Sequence, residues 1–175
     1  FMLVVRGLKA LIEEDTDASR AALRAWLPPP AELLRIAEYH TAWRGLSLGA
    51  QHPSLLCAGL GGERLGDWAA AVEVAEGVLA IEAFNPVLRT EALRLLGRAH
   101  DALGAQAAAC EAAERAVAEA ATAKHGWFEM LALADLLKWC APGEAEGVRS
   151  RLRGVAGRLA ASKEELMGVL GDGVL

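Results

Sequence analysis

Apolar residues return every three or four positions along most of this chain, and the rhythm is broken by Gly, Pro and acidic residues. Val4, Leu8, Leu11 and Ile12 line one face of a first predicted helix over residues 1–14. Ala22, Leu23 and Trp26 do the same for a second, 18–27, with Thr16 or Asp17 placed to cap its start. Pro28-Pro29-Pro30 ends it, because each proline removes a donor and disfavours helix in the residue before it. A third helix is predicted over 31–44, with Leu33, Leu34, Ile36, Ala37, His40 and Trp43 on its apolar side. A fourth spans 53–65; Gly59, Gly61 and Gly62 weaken it by about 1 kcal/mol each, so packing must offset them. Asp67 caps a fifth over 68–82, and Asn85-Pro86 breaks the chain after it. Helices over 87–103 and 105–123 are separated by little more than Gly104, which makes them antiparallel neighbours. An eighth, 127–140, stops at Pro142-Gly143, and a ninth covers 144–160. Ser162 with Glu165 forms a capping box for a last turn of helix to Leu170.

Composition agrees with this pattern. Hydrophobic residues make up 54% of the chain and aromatics 5%, so the apolar share rests on Ala and Leu, both strong helix formers. The expected class is all-α. Within it, one stretch is written twice. Gly59 and Gly66 stand seven residues apart, and so do Gly97 and Gly104, the second pair 38 residues after the first. Beyond each second glycine, small residues recur at helical spacing: Ala71 and Ala75 in one copy, Ala109, Ala113 and Ala116 in the other. A fixed offset of this size signals stacked supersecondary units.

These residues resemble the tetratricopeptide repeat. Leu93, Leu96-Gly97, Leu103-Gly104, Ala109 and Ala116 match its pattern; His100, Ala113 and Ala121 depart from it where an aromatic, an aromatic and a proline stand. The earlier copy matches at Gly59, Leu65-Gly66, Ala71 and Leu79 and departs at Ala58, Gly62, Ala75 and Ala83. The clearest units are 52–85 and 90–123, with a degenerate one over 124–160 that opens near Trp127. The resemblance implies a single domain over 1–175, built as a right-handed superhelical stack of antiparallel helix hairpins. It also implies a concave groove, lined by the first helix of each pair, that holds a peptide.

Charge narrows the partners. The net charge is −5, which argues against general nucleic-acid binding, since that needs concentrated Lys and Arg. Arg149, Arg151 and Arg153 do not form one patch, because Arg151 points away from the other two on a helix. Cys57, Cys110 and Cys140 lack metal-ligand spacing and are expected to be small packed residues in a reducing, cytoplasmic setting. Every long apolar run is cut by charge before about 18 residues, so no membrane span is expected. A chain opening on Phe1 suggests a piece of a longer protein.

Candidate chemistry is sparse. The run Gly59 to Gly66 has neither a GxGxxG register nor Gly-Lys-Ser/Thr, and no strand precedes it, so a phosphate loop is not expected. His40, His52, His100 and His125 are scattered, and no Glu-x-x-His is present. Glu73, Glu76, Glu111 and Glu114 are expected in solvent. No catalytic residue, metal or cofactor is expected. The stripe that invites a partner is Glu91, Arg94, Arg98 and Asp101 on the sixth predicted helix, with Phe128 and Asp135 as its counterparts on the eighth. It is expected to face outward, with Arg94 and Arg98 able to grip a carboxylate, or else with Glu91–Arg94 and Arg98–Asp101 neutralising each other. The Lys/Asn clamp of chaperone-binding family members is not visible. The expected role is a non-catalytic interaction or scaffolding module for a protein or peptide. The alternative is a helical regulatory or sensor domain of a signalling ATPase or transcription regulator.

Overall fold

In the computed structural model, residues 16–27, 59–81 and 85–159 are described, and all their regular structure is helical. We number the helices α1 (Asp17–Trp26), α2 (59–65), α3 (Trp68–Leu79), α4 (Pro86–Ala102), α5 (Gln106–Thr122), α6 (Gly126–Trp139) and α7 (Ala145–Leu159). The predicted helices at 1–14, 31–44 and 162–170 lie outside the described residues, as do Cys57, His40 and His52. Among the described residues there is no strand, and no helix is long and apolar enough to cross a membrane.

Local chemistry accounts for where the helices begin. Thr16 and Ser19 form a reciprocal capping box at α1, so Thr16 rather than Asp17 is the cap. The Asp67 carboxylate accepts from the Ala70 amide at 3.1 Å, and Asn85 accepts from Val87 at 2.9 Å, with Pro86 supplying the first turn of α4. Helix α3 stops at Leu79, short of the residue 82 expected from periodicity. Its trailing carbonyls at Leu79 and Ile81 are taken by the Arg89 guanidinium, at 3.1 and 3.3 Å, in place of further helical amides.

Three helix ends share one turn. At Gly66, Gly104 and Lys124 the backbone is left-handed (φ 74°, 78° and 57°), and the next amide reaches back to a carbonyl five residues earlier. That is the Schellman closure, which reverses the chain within two residues. It explains the seven-residue glycine spacing. The second glycine of each pair makes the turn, and the first lies inside a helix at a close approach. A Cβ on Gly59 would sit 2.6 Å from Leu95, and one on Gly97 would sit 2.7 Å from the Trp139 ring.

Sequential helices pack on one another: α3 on α4, α4 on α5, α5 on α6, α6 on α7. Helix α4 also reaches α6, whereas α3 and α5, and likewise α5 and α7, scarcely touch. The core follows this order in two clusters. In one, Ala71, Ala75 and Val78 of α3 join Ala92, Leu95 and Ala99 of α4. In the other, Ala113 and Val117 of α5 join Met130 and Leu133 of α6 and Leu152 and Val155 of α7. Alanine at so many contact positions lets the helices close on each other with few large side chains between them.

Candidate functional site

Residues 91, 94, 98 and 101 return at helical spacing along α4, on the side that meets α2 and α6. Arg94 reaches across to α6, where its Nε donates to Asp135 Oδ2 at 2.7 Å, while its Nη1 donates to Glu91 Oε2 at 2.7 Å. Arg98 reaches the other way, to α2. Its Nε and Nη2 donate to the two carboxylate oxygens of Glu63 at 2.6 and 3.0 Å, and Nη2 lies 3.5 Å from Glu91. Lys138 closes the far end at 3.4 Å from Asp135. Three carboxylates and three cations thus alternate in a ladder across α2, α4 and α6.

Except at Lys138, the ladder is largely shielded from water. The Arg94 side chain is 13% exposed and that of Asp135 4%. Burial alone would lower the pKa of Arg98, but the Glu63 hydrogen bond and the fields of Glu63, Glu91 and Asp135 outweigh it. The guanidinium is held above its ordinary value.

This corrects the expectation of an outward-facing stripe. Asp101 is exposed; Glu91, Arg94, Arg98 and Phe128 are half-buried, and Asp135 is buried. The expected Arg98–Asp101 pair is replaced by Arg98–Glu63. A bidentate, partly desolvated fork outcompetes a solvated pair one turn away. Glu91–Arg94 forms as expected. Glu63 lies 35 residues before Arg98, and their pairing depends on how α2 lies against α4.

Chemically, each guanidinium of the ladder is already engaged through Nε and one terminal nitrogen. An incoming carboxylate would compete with Glu63, Glu91 and Asp135 for them. Around it, Asp101 and Lys138 are exposed and Phe128 is half-buried. Trp127, at the start of α6 two turns before Asp135, is 44% exposed. The glycine run Gly59 to Gly66 lies in α2 and its closing turn, with no strand before it among the described residues. His100 is half-buried, and Glu73, Glu76, Glu111 and Glu114 are in solvent. Among the described residues no group of His, Cys, Asp or Glu is arranged to hold a metal. No family model matches the chain, and neither does any curated protein compared with it.

Proposed function

We propose that the chain is a right-handed superhelical stack of hairpins of the tetratricopeptide kind, acting as a non-catalytic module that holds a peptide or partner protein. The observation that carries this reading is the unequal spacing of the helices. The first helices of successive pairs meet, α2 with α4 and α4 with α6, while the second helices α3, α5 and α7 stand apart. A stack closer on one side than on the other curves toward the closer side, and that side is the first-helix face. The ladder then stiffens the concave wall, and contact falls to the exposed Asp101 and Lys138 and the half-buried Phe128.

Selection of random displayed peptides on the purified chain tests this. Selected peptides are expected to bind the Asp101→Arg/Lys138→Glu variant at least 10-fold more weakly than the native chain. Equal affinities, with an amide-shift footprint on α3 and α5, would sink the proposal. Lys138→Glu also removes a partner of the buried Asp135, so circular dichroism and the unfolding midpoint check that the variant keeps the native fold.

A further inference from the structure

Helices α5 and α7 both pack on α6 yet scarcely touch, and a cleft of about 300 Å³ opens between them. This is at the small end of the range of ligand pockets, roughly 300–1,000 Å³. Its floor is apolar: Leu136 of α6 and Val148 of α7 are both buried. Its rim is charged and exposed, with Glu114 on α5, Glu144 at the entry to α7 and Arg151 farther along α7. None of the three makes an ion pair among the described residues. By contrast Arg149 and Arg153, two positions either side of Arg151, both engage Glu146.

Two further observations place the negative potential at one end of the cleft. The C-terminal end of α6 opens there at Cys140, and a helix C-terminus carries partial negative charge. Burial, then Glu114, Glu144 and Cys140, push the neighbouring Cys110 thiol up, so both carboxylates bear on the same corner. Arg151 follows Glu144 by seven residues, about 10 Å along the helix. The cleft therefore offers an apolar floor, a cation-seeking end and, about 10 Å on, an anion-seeking point. Lysine and arginine alone combine a long apolar stem with a cationic head.

We propose that this cleft docks a segment of a partner polypeptide that carries a lysine or arginine. Its stem lies on Leu136 and Val148, its head sits between Glu114 and Glu144, and an acidic residue of the same segment meets Arg151. The site lies on a different face of α6 from the ladder and does not rest on the first-helix reading.

The test is an amide-shift titration of the full chain with three synthetic Gly/Ser-based nonapeptides: one with Arg and Asp two residues apart, one with Arg alone, one with Asp alone. The Arg-bearing peptides should saturate shifts at Leu136 and Val148, the Arg-plus-Asp peptide most tightly, and slow iodoacetamide labelling of Cys140. Glu114→Gln/Glu144→Gln should weaken them at least 10-fold. Glu114→Lys/Glu144→Lys should turn the preference toward the Asp peptide, and Arg151→Glu should weaken the Arg-plus-Asp peptide while sparing Arg alone. All these changes are on exposed side chains, and unfolding midpoints check that each variant is folded. Equal shifts with the Asp peptide and the Arg peptides, or unchanged binding by the Gln variant, overturns the proposal.

Discussion

A methyl group at position 97 would lie 2.7 Å from the Trp139 ring and 3.3 Å from the Ala109 carbonyl oxygen. Neither a packed indole nor a backbone carbonyl yields easily. Gly97→Ala should therefore cost about 1–3 kcal/mol despite the roughly 1 kcal/mol that alanine gains in helix propensity. Gly59→Ala is expected to behave differently. Its nearest obstacle, 2.6 Å away, is the flexible end of Leu95, with Val74 next at 3.3 Å. The two costs and gains nearly cancel, and stability should stay within about 1 kcal/mol of the native chain. Urea unfolding of both variants separates the cases; an unperturbed Gly97→Ala would mean that α4 and α6 do not approach so closely. Lys124 is the converse. It holds φ 57°, a left-handed backbone that glycine adopts without strain at the matching turns. Lys124→Gly should raise stability by about 0.5–1 kcal/mol, visible in the same unfolding curves. The glycine spacing was legible in the sequence, whereas the different tolerance of Gly59 and Gly97 was not. It depends on which side chain, flexible or rigid, the neighbouring helix delivers.

Between elements, the Arg94–Asp135 pair ties α4 to α6. Removing one partner from a shielded pair leaves the other desolvated and uncompensated. Arg94→Met should cost about 3–5 kcal/mol, and adding Asp135→Leu should recover most of it. A double-mutant cycle reports the coupling. Simple addition of the two losses would show that the pair is open to water. The stripe of charges on α4 was legible from spacing alone. Its partners were not, because Arg94 pairs 41 residues away and Arg98 pairs 35 residues back. A charged stripe on a helix suggests a solvated face until a second helix lies over it. Here α2 and α6 do so, and the charges pair between helices.

At the scale of the molecule, each helix leans mainly on its neighbours in sequence, so damage at one end should fade toward the other. Leu152 is fully buried in the cluster that joins α5, α6 and α7. Leu152→Ala should cost about 2–5 kcal/mol. Hydrogen exchange should quicken first in α6 and α7, with α3 and α4 protected longest. Uniform loss of protection across all these helices would mean one undivided cooperative unit.

Helix content, most helix ends and the reversing turns follow from the sequence by itself, because capping, left-handed backbone and 3.6-residue periodicity act over a few residues. Thr16, Asp67, Asn85, Gly66 and Gly104 each do this work within one turn of helix. Tertiary structure alone decided what the charged side chains face. Glu63 and Asp135 close on Arg98 and Arg94, while Glu114, Glu144 and Arg151 are left around an open cleft. Ion pairing depends on distances of a few ångströms between groups far apart in sequence. The lateral spacing of whole helices sets those distances, and no local pattern in the chain encodes it.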